Sequence, residues 1–74
     1  MQSAFQGLQS AIDSDAYSWL SENAPAYIAG ILRAQAEGKS PAEIRLFVAG
    51  EVGPERTAIA IRCEQAARYL LSQG

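Results

Sequence analysis

The three prolines of the chain, Pro25, Pro41 and Pro54, constrain its fold more than any other feature. A proline breaks a helix that reaches it, but it fits the first helical turn, where its missing N–H would have no partner. Each proline precedes a stretch in which apolar residues recur at helical spacing. The prolines therefore predict three helix starts and divide the chain into four helical segments.

The first segment carries apolar residues at intervals of four, three and four, at Met1, Phe5, Leu8 and Ile12. This spacing predicts the buried face of a helix. The following run, residues 13–15, reads Asp-Ser-Asp, and all three are good N-cap residues. They predict a break and a second short helix, with three inward residues, Ala16, Trp19 and Leu20. A single bent helix through residue 21 is the alternative.

The second segment starts at Pro25, with Asn23 or Ala24 as its cap. Its predicted inward face consists of Ile28, Ile31, Leu32 and Gln35. Gly38 is expected to end this helix in a left-handed conformation, which glycine adopts without steric cost.

The third segment opens on Ser-Pro-Ala-Glu, residues 40–43, the pattern of a capping box in which Ser40 and Glu43 bond each other's backbone N–H. The inward residues predicted for this helix are Ile44, Phe47 and Val48, and Gly50 or Gly53 is expected to end it. The last helix should run from Pro54 to about Ser72 and bury a stripe formed by Ile59, Cys63, Ala66 and Leu70.

Taken together, the four segments predict one small all-α domain over residues 1–74, a compact bundle of about four short helices with a C-terminal helical hairpin. A chain of 74 residues holds a core worth only about 3–5 kcal/mol without extra staples. With one cysteine and no histidine, it can form neither an internal disulfide nor a zinc site. We therefore expect it to gain stability by association.

The residue types argue against an enzyme. General acid–base chemistry at neutral pH most often uses histidine, which this chain lacks. Cys63 lies on the predicted inward stripe, so we expect a buried, unreactive thiol. The carboxylates are scattered along the chain rather than grouped. We predict no catalytic residues, no cofactor and no metal.

The charge distribution bears on partners and location. The net charge is −2, and residues 1–32 contain three acidic residues and no Lys or Arg. Such a chain is repelled by nucleic acid unless its few basic residues cluster. No apolar run approaches the ~20 residues that span a bilayer, and the first residues do not resemble a secretion signal. These features predict a cytoplasmic protein with no membrane partner.

Residues 40–71 are similar in outline to helix-turn-helix units, such as those at the C-terminal end of sigma factors. The resemblance covers a capped helix, a glycine-bearing turn and a second helix, and it implies a transcriptional regulator as the alternative function. The arginines argue against it. Arg56, Arg62 and Arg68 are six residues apart, which spreads them around the helix instead of placing them on one groove-facing side.

Two apolar residues point away from the predicted core, Ile61 on the last helix and Leu46 on the third. Three further residues lie near them or at the edge of the core face, namely Glu64, Arg68 and Tyr69. We interpret these five as a protein interface, the alternative being a helix buried on two sides. The predicted function is a small protein–protein interaction module, acting as a homo-oligomer, an adaptor or an inhibitor of a larger machine. Phage and bacterial accessory proteins are often of this kind.

Overall fold

The structure is a computed structural model and describes residues 4–73, with side chains from residue 7 onward. Within this range the chain forms four α-helices and no strand: α1 (Ala4–Asn23), α2 (Pro25–Ala36), α3 (Pro41–Val52) and α4 (Thr57–Gln73). This confirms the predicted all-α bundle and its C-terminal hairpin, formed by α3 and α4.

Helix α1 is continuous over 20 residues, so the predicted break at residues 13–15 is wrong and the single-helix alternative is right. The reason is that Asp13 does not cap a helix. Its side chain turns into the bundle, where only 7% of the residue is exposed. There its carboxylate accepts hydrogen bonds from Gln9 Nε2 at 3.0 Å and from Nε and Nη2 of Arg68 at 3.3 Å.

The turn between α2 and α3 forms as the sequence predicts. Gly38 has a φ of 86°, in the left-handed region that favours glycine. Its N–H donates to the carbonyl of Gln35 at 3.0 Å, and the N–H of Lys39 donates to that of Ala34 at 3.1 Å. This pair of bonds is a Schellman motif, which satisfies carbonyls that the end of α2 leaves free.

The capping box at the start of α3 is also confirmed. Ser40 Oγ accepts from the N–H of Glu43 at 3.2 Å, and Glu43 Oε1 accepts from the N–H of Ser40 at 3.1 Å. The bond from the Ser40 N–H is the largest cause that holds the pKa of Glu43 below its usual range, because it favours the ionised carboxylate.

The turn between α3 and α4 differs from the sequence-based expectation in where α4 begins. Helix α3 continues through Gly50 and ends before Gly53, whose φ is 82°. Pro54 does not begin α4 directly; it opens a short 3₁₀ turn, Pro54–Arg56, and α4 follows from Thr57. The Thr57 hydroxyl donates to the Pro54 carbonyl at 2.8 Å and so joins the turn to the helix.

The core lies around α4, which contacts all three other α-helices. The predicted stripe is confirmed at Cys63 and Ala66, which are fully buried, whereas Ile59 and Leu70 are half-buried. The centre of the buried face is rotated slightly toward Ala60 and Ala67. Opposite this face lie Leu20, Ile31, Ile44 and Val48 from the other helices.

Several residues predicted to face inward are exposed. In α1 the buried line runs through Asp13, Ala16 and Leu20, so Leu8 and Ile12, one residue out of register with it, remain exposed. Leu32, next to the buried Ile31, is exposed for the same reason, and Phe47 is exposed on α3. Met1 and the Phe5 side chain, predicted to share the face of Leu8, lie outside the described part.

We expect Ser40→Ala to lower the free energy of unfolding by about 1 kcal/mol, because it removes the side-chain cap from α3. Thermal or denaturant unfolding followed by circular dichroism measures the change. Ser18→Ala is the matched control: Ser18 is exposed inside α1, and alanine favours helix, so its effect should be neutral or slightly stabilising. Equal stability of Ser40→Ala and wild type would contradict a functioning cap.

We expect the Cys63 thiol to react with a thiol reagent only as fast as the chain unfolds. Burial raises the pKa of Cys63 to about 11. As pH rises toward that value, only the unfolded chain ionises its thiol freely, so the free energy of unfolding should fall. Cys63→Ala should lack this pH dependence.

Cys63→Ser should lower the free energy of unfolding by about 1–3 kcal/mol, because it buries a hydroxyl. Native labelling at the rate seen in denaturant would refute the assignment.

Candidate functional site

A concave feature in the described part of the chain is a groove between α2 and α3. Both helices pack on α4, but they make almost no contact with each other. They are joined at one end by the turn at residues 37–40, and the end of the groove away from this turn is called its open end. The result is an open groove of about 460 Å³.

The α2 wall of this groove includes Tyr27 and a row of small residues. Ala26, Gly30 and Ala34 line it at intervals of four residues, so they lie in one row along the helix. A Cβ placed on Gly30 would have no neighbour within 4 Å, which shows that the wall opens to free space there. Because these side chains are small, another chain can approach the backbone of α2 closely at this wall.

The α3 wall is larger and apolar. Ile44 and Val48 are buried and form the floor together with Ile31. Phe47 stands at the rim, where it is 68% exposed. Aromatic side chains are enriched in the buried centres of protein interfaces. The exposed ring of Phe47, beside an apolar groove, is therefore available for such a contact.

The rim of the groove carries both signs of charge. Arg33, Glu37 and Lys39 line the half near the connecting turn, and Glu51 lines the α3 wall toward the open end. None of these four takes part in the salt bridges found among residues 7–73. The groove therefore combines an apolar floor with free charges at its edge.

Phe47 is the functional candidate that sequence reasoning placed wrongly. Its position, about 80° around the helix from the line between Ile44 and Val48, is compatible with either the core or its edge. Periodicity cannot separate these cases, because exposure depends on whether α2 covers that edge. The only sequence signal was the run of three large apolar residues at 46–48, which is too wide for one helix face to bury completely.

The two off-stripe residues of the predicted interface, Ile61 and Leu46, are exposed, at 40% and 68%. Ile61 shares an outward strip of α4 with Glu64 and Arg68, three and seven residues further on. Leu46 lies about 180° from the line between Ile44 and Val48, so it is on the outer side of α3 and not in the groove.

The predicted Glu64–Arg68 pair is confirmed at 3.3 Å, and both residues have further partners within the chain. Glu64 also pairs with Arg45 of α3 at 3.3 Å. Arg68 makes a two-pronged contact to Asp13 of α1, the geometry that gives guanidinium–carboxylate pairs their strength. These charges therefore connect α3, α4 and α1.

Tyr69, the fifth predicted interface residue, is half-buried and packs against Tyr17 of α1. The two ring centroids are 5.1 Å apart and the ring planes are tilted by 36°. This lies within the distance range of favourable aromatic pairs, so Tyr69 contributes to the contact between α1 and α4.

The arginines of the hairpin are used in a similar way. The guanidinium of Arg62 lies 4.1 Å from the ring centroid of Trp19, a cation–π contact with α1. Arg68 is paired with Asp13 and Glu64. Two of the three arginines that a DNA-reading helix would present are thus engaged within the chain.

In comparisons with known proteins, the chain matches no family model, no curated protein and no solved structure. Within the part of the chain that the structure describes, no helix combines the length and apolar character needed to cross a bilayer. The same residues hold no group of three or more His, Cys, Asp or Glu side chains placed to bind a metal ion.

We expect Gly30→Ala to raise the free energy of unfolding by up to about 1 kcal/mol, because alanine favours helix and its methyl group would enter open space. Gly38→Ala is the matched control and should lower stability, since its φ of 86° disfavours any side chain. Denaturant titrations measure both. Destabilisation by Gly30→Ala would mean that the groove is filled in solution.

Proposed function

We propose that this chain is a non-enzymatic protein-binding module and that the groove between α2 and α3 is its binding site. The observation that carries the proposal is the exposed Phe47 at the edge of an open apolar groove. Covering one phenylalanine side chain contributes about 1.5–3 kcal/mol. Within the chain, most of the Phe47 side chain stays exposed to water. A partner that covers it would gain this free energy on binding.

The shape of the groove favours a helical segment as the bound element. An amphipathic helix lays its apolar face into a groove and keeps its polar face in water. The Ala26, Gly30 and Ala34 wall allows such a helix to come close, and the floor at Ile31 and Ile44 is apolar. The charged rim would orient the segment, as polar rims do around apolar interface centres.

A catalytic role for the groove has little support. The groove lining contains no cysteine, and Cys63 is buried in the core with its pKa raised to about 11. A nucleophilic thiol instead needs a low pKa and access to substrate. Binding is the function that the lining residues support.

The transcriptional-regulator alternative has less support than protein binding, because Arg62 and Arg68 already have partners within the chain. Non-specific DNA binding arises from free basic groups and is strongest at low salt. A mobility-shift assay with random duplex at low salt tests it: retention of the duplex would favour the regulator, and no retention would favour the binding module.

Site-specific photo-crosslinking tests the proposal. A photoreactive phenylalanine analogue at position 47 should crosslink to another polypeptide in the cells that produce the protein. The same analogue at Ser18, an exposed residue on α1, is the control and should give only background. A crosslink to a second copy would indicate a homo-oligomer, and one to another protein an adaptor or inhibitor, the three modes that we propose.

Two results would overturn the proposal. If no position gives crosslinks above background, the chain does not bind protein under those conditions. If position 61 crosslinks and position 47 does not, the partner binds the outward strip of α4 around Ile61, and the groove is not the site.

A further inference from the structure

We infer that Glu51 of α3 recognises a basic residue of the bound helix, and that this residue lies one turn from the apolar residue that covers Phe47. The inference rests on the proposed function and specifies the chemistry of its partner. Three observations support it: the position of Glu51 beside Phe47, the lack of a salt-bridge partner for Glu51 among the described residues, and its place near the end of α3.

Glu51 and Phe47 lie on the same side of α3. They are four residues apart, which is about one turn of an α-helix, and both are exposed and line the groove. A helix that lies along the groove and covers Phe47 with one apolar side chain therefore brings its neighbouring turn to Glu51. The residue at that position of the partner meets the carboxylate.

Glu51 takes part in none of the salt bridges found among residues 7–73. The half of the groove near the connecting turn is different, because Arg33, Glu37 and Lys39 line it with both signs of charge. At the open end, Glu51 is the one charged group among the described lining residues, and α2 contributes the uncharged Ala26 there. A basic group of a partner is therefore attracted at the open end, whereas Arg33 and Lys39 repel it near the turn.

The place of Glu51 is also unfavourable for α3 itself. Helix α3 ends at Val52, so Glu51 lies in its last turn, and this turn contains no basic residue. The C-terminal end of a helix carries a partial negative charge, which repels a carboxylate and attracts a cation. Residues that break such a local rule without a gain inside the chain are expected at functional sites. A basic residue of a partner would compensate both Glu51 and the end of α3.

Helices of other chemistry fit the open end less well. An acidic residue beside Glu51 would place two like charges together, which is unfavourable. An apolar residue there would remove Glu51 from water without giving its charge a partner, which also costs free energy. Charge complementarity therefore favours Lys or Arg at this position and restricts which amphipathic helices the groove accepts.

Mapping of the crosslink from position 47 tests the inference. The photoreactive phenylalanine analogue marks the partner residue that covers this position, and mass spectrometry of the crosslinked peptide identifies it. We expect a Lys or Arg three or four residues from the marked residue, the spacing of neighbours on one helix face. A segment with no basic residue at any of these positions would overturn the inference, while the crosslink itself would still support the proposed function.

A synthetic peptide of the crosslinked segment then measures the pairing. Glu51→Gln should raise the dissociation constant about two- to fivefold, as expected for an exposed ion pair. Glu51→Lys should raise it about tenfold, because like charges then meet. A peptide with its basic residue changed to Glu should bind the Glu51→Lys variant more tightly than it binds wild type, which a merely structural effect of position 51 would not produce.

Asp15→Lys is the matched control. Asp15 is an exposed carboxylate on α1, and no residue of α1 is among those that line the groove in the described part of the chain. The same change of charge at this position should leave the dissociation constant unchanged at physiological salt, where distant charges are screened.

Unfolding experiments separate recognition from stability. Glu51→Gln should unfold at the same temperature as wild type or at a higher one, because it removes a carboxylate from the last turn of α3. A lower unfolding temperature would show that Glu51 is stabilised within the chain, for instance by the first turn of α2 at the same end of the groove. That result would contradict its role in recognition.

The remaining outcomes distinguish this inference from the proposed function. Equal affinity of wild type and Glu51→Lys for the peptide would overturn the inference and leave the groove as the binding site. Absence of any crosslink from position 47 would instead overturn the proposed function, and the inference with it.

Discussion

Close packing against the small side chains of α4 is the constraint on which the rest of the structure depends. The buried face of α4 consists of Ala60, Cys63, Ala66 and Ala67, none of which is longer than a cysteine. Other helices can therefore approach its backbone. Gln35 of α2 shows this directly, since its Nε2 donates a hydrogen bond at 2.9 Å to the main-chain carbonyl of Ala67. Large residues from α1, α2 and α3 then fill the space around this face.

The groove is a consequence of that packing. A single helix of small cross-section has three neighbours, and each neighbour buries its apolar residues against α4. Helices α2 and α3 thus satisfy their packing with almost no contact between them, even though they are adjacent in the chain. Phe47 lies on the side of α3 that faces α2, and it remains uncovered because α2 is held by α4. The exposed aromatic residue and the open groove have the same physical origin.

Ion pairs connect the side of the molecule formed by α1, α3 and α4. The ion pairs that join Arg45, Glu64, Arg68 and Asp13 cross α3, α4 and α1 in sequence. Fully exposed ion pairs contribute little each, about 0–1 kcal/mol, but in these pairs only the arginines are well exposed and the carboxylates are mostly covered. Asp13 differs because it is buried, and removing its partner would leave a carboxylate without compensation. The strip around Ile61 is thereby bounded by charges that already have partners, while the charges of the groove rim do not take part in these pairs.

The sequence by itself determined the features that depend on a few consecutive residues. The capping box at Ser40, the glycine turn at Gly38 and the helix starts near the prolines follow from backbone geometry and local hydrogen bonds, so they could be predicted without knowing the neighbours. The burial of Cys63 and Ala66 followed from helical periodicity. Tertiary structure alone decided the role of Asp13, because a residue that can cap a helix can equally bond an arginine 55 positions away. It also decided the exposure of Phe47 and hence the candidate site, because periodicity gives the side of a helix on which a residue lies, but only the packing of α2 and α3 on α4 determines whether that side is covered.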